Sequence, residues 1–523
     1  MNQPIQSEII ILWADDEIDL LGPHIRFLTQ KGYKIITTTN GQDLIDILKT
    51  QIVDLILLDE NMPGLSGLET LSRIKQMTPQ VPVIMITRNE AENIMEEAIG
   101  AQISDYLIKP VNPNQILLSI KKNTEKKRLV SQKSTSDYRQ AFMEISADIN
   151  SAMDFNRWKD IYRRLVYWEL DLYALENRDM HAVLQEQFKE ANRQFCNFVK
   201  KNYEGWFTGA SEERPVMSHD ILRKETFPLL EQGDKVVVLL MDNFRYDQWL
   251  SILPLFSGFF RVEKETLFCS LLPTVTQYAR NAFFAGLFPA QIARNYPELW
   301  VEDSSDEESH NMYEHELLQK QLERLKLKYK TAYEKITMSK AGRKVADNMY
   351  EYLKNDLTVI VCNFSDLISH SRTDVAMLRE LISDEAANRS LTRSWFEHSP
   401  LMDLIKNLSS EKVKLVITTD HGSVLVNKPE KIIGDRHCSN NLRFKEGRNL
   451  DYNPKNVMEI KRPDDIGLPR KNLSSSFIFA MENDFLVYPK NFNQYAVQFK
   501  NTFQHGGISM EEMIIPFITL SPL

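Results

Sequence analysis

The sequence predicts an α/β protein in three parts: a doubly wound N-terminal domain, a helical connector and a second, larger α/β domain. Three observations carry that prediction. Short β-branched runs alternate with helix-period segments over residues 8–124. Neither strand-like alternation nor proline occurs between Asp137 and Tyr203. From about Pro215 the alternation returns. The shifts set domains at 1–124, 125–212 and 213–523, and 523 residues suit about three domains at roughly 150 residues each.

Composition narrows the class. Hydrophobic residues at 43% and charged residues at 26% are ordinary for a globular protein. No apolar run approaches a membrane span, and Met1-Asn-Gln-Pro lacks a basic region followed by an apolar core. Cys196, Cys269, Cys362 and Cys438 are scattered without a pairing framework, which suits a reducing compartment. A cytoplasmic location is the expectation. A net charge of −9 argues against a surface that clings everywhere to nucleic acid, while leaving room for a local basic groove.

In the first domain, strands are expected at Glu8–Ala14, Lys34–Thr39, Leu55–Asp59, Val81–Thr87 and Asp105–Ile108. Helical periodicity follows in Gln42–Lys49 and Leu65–Gln76. Five repeats of this unit give a parallel sheet with helices on both faces. Asp15 and Asp16 follow the first strand, and Asp59 ends the third. Three clustered acids need a cation, and hard oxygen ligands favour Mg²⁺. Thr87 and Lys109 end the fourth and fifth strands; their hydroxyl and ammonium complete a site that can hold a phosphoryl group on one carboxylate. The elements Ala-Asp15-Asp16-Glu, Leu-Leu-Asp59-Glu-Asn61-Met-Pro-Gly, Ile-Thr87-Arg and Tyr106-Leu-Ile-Lys109-Pro110 resemble the receiver domain of bacterial response regulators. That resemblance implies a flavodoxin-like fold with Asp59 as phospho-acceptor. Asp15, Asp16 and the Asn61 carbonyl would hold Mg²⁺ with it, and Thr87 and Tyr106 would form a switch pair beside Lys109.

The connector opens on a basic run, Lys121–Arg128, and a polar stretch, Ser131–Ser136, read as a flexible joint. Apolar residues then recur at helical spacing in Phe155, Trp158, Ile161, Tyr162, Leu165 and Val166, and again in Phe188, Phe195, Phe198 and Val199. Two or three helices forming a small bundle is the simplest reading, its aromatic stripe serving as core. No helix-turn-helix pattern follows the first domain.

In the last part, Lys235–Met241 ends at Asp242, Leu357–Phe364 ends at Ser365-Asp366 with His370 beyond, and Lys414–Thr419 ends at Asp420-His421-Gly422. Leu267–Leu272 leads into Pro273-Thr274-Val-Thr276, and His505 precedes the apolar run Ile514–Leu520. Functional groups of open α/β sheets lie past the carboxyl ends of strands. Asp242, Asp366, His370, Asp420, His421 and His505 offer mixed oxygen and nitrogen ligands that suit Zn²⁺, with Mn²⁺ as the harder alternative. Six ligands exceed what one tetrahedral ion uses, so two ions about 3.5–4 Å apart are expected. A threonine hydroxyl at the strand-to-helix turn supplies a nucleophile, and spacing alone leaves Thr274 and Thr276 both open.

Over roughly residues 215–523 this constellation resembles the PglZ branch of the alkaline phosphatase superfamily. The resemblance implies that Asp366, His370 and His505 hold one zinc and Asp242, Asp420 and His421 the other. It favours Thr276 as nucleophile, with Thr274 in reserve. Asn243 stands where relatives often carry glycine.

Residues 427–476 form an insertion with eleven Lys/Arg against seven Asp/Glu, which favours a polyanionic substrate such as an oligonucleotide or nucleotide diester over a neutral ester. Arg280, Arg436 and His437 are candidate phosphate contacts. Glu302–Glu308 reads as disordered and Tyr313–Tyr333 as an amphipathic helix. The order of the three parts resembles the response regulators that govern type IX protein secretion. It implies a partner sensor histidine kinase, homodimers on phosphorylation, and contact with a sigma factor or secretion-system component. Two other classes stay open: a metal-binding scaffold acting through protein partners, and a DNA-binding regulator.

Overall fold

The computed structural model of the chain describes residues 9–51, 53–78, 81–88, 103–175, 178–208, 214–301, 310–336, 339–363, 384–434, 439–470, 472 and 474–523. The chain forms two compact units, Met1–Gln140 with Ala174–Asn177, and Ala141–Tyr173 with Arg178–Leu523. Among the described residues, no helix is long and apolar enough to cross a membrane.

The first unit holds strands β1 (Ile9–Ala14), β2 (Tyr33–Thr38), β3 (Leu55–Asp59), β4 (Val83–Thr87) and β5 (Asp105–Ile108). They pair in parallel in the order β2-β1-β3-β4-β5. Strand residues alternate between two cores, as the period of two requires. Ile11, Trp13, Leu55, Leu57, Ile84 and Ile86 face one core, and Leu12, Ala14, Ile56, Leu58, Val83 and Met85 face the other. Helix α1 (Gly22–Gln30) and the start of α4 (Pro113–Ser151) cover the first core. Helices α2 (Gly41–Leu48) and α3 (Gly67–Met77) cover the second. A capping box at Ser66 and Glu69 starts α3.

Ser131–Ser136, expected to be a joint, lies inside the single helix α4. The polar composition misled: after Pro113 the helix contains no proline or glycine to stop it, and Gln132 and Lys133 within the stretch are good helix formers.

In the second unit, α5 (Phe155–Ala174) and α6 (Arg178–Asn202) pack through their aromatic stripe. Trp158 meets Phe195 edge-on with ring centroids 5.5 Å apart, and both are buried. A six-stranded sheet follows, built from β6 (Lys235–Met241), β7 (Phe260–Cys269), β8 (Thr331–Ile336), β9 (Leu357–Cys362), β10 (Val413–Thr418) and the final strand (Ile514–Pro522). The final strand runs antiparallel between β7 and β10, whereas β10, β6, β9 and β8 are mutually parallel. The region Tyr313–Tyr333 is only partly helical: a helix spans Glu314–Arg324, and β8 begins at Thr331. The run Thr-Ala-Tyr-Glu-Lys-Ile, with its β-branched and aromatic residues, fits the sheet edge better than a continued helix.

The basic insertion folds into strands rather than an open loop. β11 (Val424–Val426), β12 (Lys428–Lys431), β13 (Phe444–Gly447), β14 (Val457–Ile460), β15 (Ser476–Ala480) and β16 (Asp484–Val487) form small sheets, with β17 (Thr502–Gln504) pairing β11. The final strand, β18, completes the series. Two of the insertion's basic residues are buried: Arg443 and Lys445 are 0% and 1% exposed. Residues 302–309, 364–383 and 435–438 lie outside the described residues, and with them Glu302–Glu308, Asp366, His370, Arg436 and His437.

Candidate metal centres

The first centre lies at the carboxyl ends of β1, β3 and β5. Asp15, Asp16 and Asp59 each bring an oxygen into a cluster whose ligand atoms all lie within 4.8 Å of one another. Asp15 and Asp59 are buried, and Lys109 Nζ stands 2.9 Å from Asp15 and 3.0 Å from Asp59. One ammonium cannot balance three carboxylates. Burial, aided by the neighbouring Asp15 charge and opposed by Lys109, pushes the Asp59 carboxyl up to about 6. That crowding is what a hard divalent cation relieves, so the residues fit Mg²⁺. The Thr87 hydroxyl donates to Glu60, and Tyr106 is hydrogen-bonded to Thr87. Asn61, beside the cluster, is exposed. Gly67 backs directly onto Asp59: a Cβ there would stand 2.6 Å from the Asp59 carbonyl oxygen.

The second centre rests on two adjacent parallel strands. β6 and β10 pair with Leu240 opposite Thr418, so two residues later Asp242 and Asp420 leave the sheet side by side. Asp242, Asp420 and His421 form a second buried cluster with ligand atoms within 4.8 Å. His421 Nε2 is 3.7 Å from Asp242 and 3.6 Å from Asp420. His421 Nδ1 lies 3.2 Å from the Gly422 carbonyl; a carbonyl only accepts, so Nδ1 carries a proton and Nε2 is the nitrogen turned toward the carboxylates. His505 follows the same logic, its Nδ1 donating to the Thr274 carbonyl at 3.2 Å. Its ring stacks on His421 with centroids 4.3 Å apart. Two carboxylates with correctly oriented imidazoles are a donor set that fits zinc.

The two threonines part company here. Thr274 is fully buried, and its hydroxyl donates to the Gly507 carbonyl at 3.1 Å while accepting from the Gly506 amide at 2.9 Å. Thr276 opens α8 (Thr276–Ala285), which follows α7 (Tyr246–Ile252) in chain order. Its Oγ1 stands 3.4 Å from Asp242 Oδ1 and 3.3 Å from His421 Nε2. Asn243 has φ of +56°, a conformation that asparagine tolerates better than most residues, which explains how it replaces glycine at this turn.

Arg280 differs from its expected role. It lies one helical turn beyond Thr276 and is 0% exposed, its guanidinium turned inward onto the carboxylates. It pairs with Asp242, bonds Asp420 through Nε at 3.0 Å, and reaches Glu314 at 3.3 Å on α9 (Glu314–Arg324). Burial alone would push the Asp420 carboxyl up, but Arg280 and His421 hold it below its ordinary range. An arginine in the buried run Tyr278–Ala285 is the signal that separates a structural counter-charge from a substrate contact. Spacing also gave no sign of Arg443, which grips Glu512 in two bonds of 3.1 and 2.6 Å; Glu512 in turn accepts from the Gly507 amide at 2.9 Å.

Two outcomes follow. Because the folded Asp59 holds its proton up to about pH 6, its contribution is favourable at low pH and is lost as pH rises from about 4 through 6. Metal-free Asp59→Asn is therefore more stable than wild type at pH 7 by about 1–3 kcal/mol, equal to it below pH 4, and Mg²⁺ narrows the gap; denaturant unfolding across this pH range checks it. Arg280→Met leaves buried carboxylates unpaired and lowers stability by about 3–5 kcal/mol in chelator. Added Zn²⁺ restores part of that loss, read as a thermal shift larger than wild type shows.

Three family models cover the chain in order. Residues 11–121 match the response regulator receiver domain, 128–207 the PorX response regulator linker domain, and 221–520 the BREX system PglZ alkaline phosphatase-like domain. The transcriptional regulatory protein CpxR of Escherichia coli K12 is 31% identical over 139 residues, 26% of this chain and 58% of its own length. The alginate biosynthesis transcriptional regulatory protein AlgB of Pseudomonas syringae is 30% identical over 129 residues, 25% of this chain and 29% of its own length. The chain thus spans under two thirds of either relative. A CheY-like receiver domain from Methanospirillum hungatei JF-1 is 25% identical, covering 23% of this chain and 96% of its own, with a TM-score of 0.23. With its PglZ match extending over more than half its length, behind a receiver and a PorX-type linker, the chain belongs to the PglZ alkaline-phosphatase-like family in a PorX-like architecture.

Proposed function

We propose that this response regulator is phosphorylated on Asp59 by a sensor histidine kinase of the PorY type, and that its output is a zinc-dependent phosphodiesterase. The observation that carries the reading is the place of the Thr276 hydroxyl, 3.3 Å from His421 Nε2 and 3.4 Å from Asp242 Oδ1. Asp242, Asp420 and His421 would hold one zinc; Asp366, His370 and His505 are proposed for the other. When bound, such ions act as Lewis acids and lower the pKa of a coordinated hydroxyl or water.

The chain's own residues do the rest. Thr276 sits where its oxygen can attack a phosphorus held over the cluster: a threonine O–P bond forms as the P–O bond to the leaving group breaks, the hydroxyl proton ends on the departing alkoxide, and water then attacks the same phosphorus to release phosphate ester and restore the Thr276 hydroxyl. The N-terminus of α8 favours the negative charge arriving there. Arg280 fixes Asp242 and Asp420 from behind, so neither swings away as charge moves. Thr274 ties the His505 loop to the strand end and takes no chemical part.

The basic insertion supports oligonucleotides, cyclic or linear, as substrates, although Arg443 and Lys445 turn inward and leave a smaller exposed charge. Regulation of type IX protein secretion, phosphorylation-driven homodimers and contact with a sigma factor or secretion component complete the proposal. A metal-binding scaffold is the second reading, because Arg280 fixes Asp242 and Asp420 in an arrangement that can hold an ion whether or not a substrate is turned over.

The test compares wild type, Thr276→Val, Thr274→Val and Asp59→Ala for zinc content and for hydrolysis of an aryl phosphodiester and short oligoadenylates. Expected are about two zincs per chain in all four, and loss of kcat by at least about 10²-fold in Thr276→Val alone. Acetyl phosphate should change wild type and leave Asp59→Ala unaffected. Zinc binding without turnover by wild type would favour the scaffold.

A further inference from the structure

We propose that Asn192, on helix α6 of the linker bundle, is a positioning residue for His421 and His505. The proposal rests on the metal-centre reading above and adds the element that regulates its geometry.

Asn192 is 2% exposed and spends its whole amide on one short turn. Its Nδ2 donates to both oxygens of Glu511, at 3.1 and 2.9 Å, and its Oδ1 accepts the Met510 amide at 2.8 Å. Those residues belong to the single-turn helix Met510–Met513, which lies between His505 and β18. Cys196, four residues on, donates to the Ile508 carbonyl at 3.1 Å, so α6 holds the chain on both sides of Ser509.

The gripped turn presses on the other histidine. A Cβ on Gly422 would stand 2.1 Å from the Glu511 carbonyl oxygen and 3.3 Å from Arg245 Cγ, and the Gly422 amide donates to Glu512 at 3.2 Å. Gly422 follows His421 directly: its amide belongs to the His421–Gly422 peptide, and its own carbonyl orients the His421 ring. A shift of the Met510–Met513 turn has no slack to be absorbed before it moves that peptide.

A second linker helix reaches the same corner. Glu169 on α5 pairs with Arg389 at 2.7 Å, Arg389 with Asp247 at 3.0 Å, and Asp247 with Arg245 at 2.5 Å. Arg245 Nη1 reaches the Ser423 carbonyl at 3.4 Å. Both linker helices thus hold the His421-Gly422-Ser423 segment, one through Glu511 and one through a buried ionic chain. Asp242 and Asp420 instead leave the sheet directly. Moving the bundle would change the histidines' position relative to the carboxylates. In chain order the bundle stands between receiver and metal cluster, where such a movement would carry a signal.

The experiment uses the full chain in four forms: wild type, Asn192→Ala, Asn192→Asp, and Asn192→Asp combined with Glu511→Gln. The last exchanges donor and acceptor and rebuilds an amide–carboxylate pair. Zinc content, thermal unfolding, kcat and KM for an aryl phosphodiester are measured. In parallel, ¹⁵N-histidine-labelled metal-free protein reports the imidazoles. Asn192→Ala is expected to keep its zinc and KM within twofold while kcat falls about 10- to 100-fold. Asn192→Asp sets two carboxylates together and falls further, and the exchange recovers most of kcat. The His421 and His505 signals shift while those of His24 and His398 stay. Unchanged kcat in Asn192→Ala overturns the proposal. So does joint loss of zinc, stability and kcat without recovery in the exchange, which marks a packing role only. If wild type turns over no phosphodiester, the enzymatic reading fails separately, and the imidazole signals decide: shifted, Asn192 positions the histidines; unshifted, it does not.

Discussion

The buried guanidinium of Arg280 is the interaction on which the C-terminal centre depends. Two carboxylates about 4 Å apart repel by about 4 kcal/mol at the effective dielectric typical of proteins, and Asp242 and Asp420 are 2% and 0% exposed. The register of β6 against β10 brings them together at adjacent strand ends, away from water. Arg280 resolves the conflict by meeting both, with Glu314 completing its surroundings; the Tyr333 hydroxyl donates to Glu314 from β8. The cluster is thereby preorganised, with the Thr276 oxygen one helical turn away on the same face of α8.

The receiver centre meets the same difficulty with a different outcome. Lys109 bridges Asp15 and Asp59 but leaves the triad net negative, and Asp59 keeps an elevated proton affinity. An acid cluster left incompletely neutralised can still take a cation. In the C-terminal centre Arg280 already pairs with both carboxylates.

Much of this was legible before the structure. A period of two in β1, β3 and β4 predicts both faces of the first sheet, since each alternate side chain must enter a core. Strand-end acids are legible because parallel sheets place their carboxyl ends together, so position put Asp242, Asp420 and His421 among six candidate ligands, and the resemblance to the PglZ branch set these three together. Thr274 and Thr276 were indistinguishable by spacing; the structure separates them by the engagement of the Thr274 hydroxyl with the Gly506-Gly507 backbone and by the place of Thr276 beside Asp242 and His421. Arg280 was misassigned because a cation near a phosphate-type site attracts the substrate reading, whereas its buried neighbours on α8 demand internal pairing. The helical course of Ser131–Ser136 was hidden by polarity, which reports solvent contact and not backbone shape. The grip of Asn192 and Glu169 on the histidine corner joins residues more than 200 apart, beyond the reach of any local pattern.

The central claim is that Asp242, Asp420 and His421 form a metal-binding hydrolytic centre beside Thr276. Its most direct test is crystallographic: diffraction from zinc-loaded protein recorded on both sides of the zinc absorption edge. The account predicts an anomalous peak bounded by those three side chains and within reach of the Thr276 hydroxyl, with Arg280 still holding the outer carboxylate oxygens. No peak there at saturating zinc, or a peak held only by residues elsewhere, would contradict it.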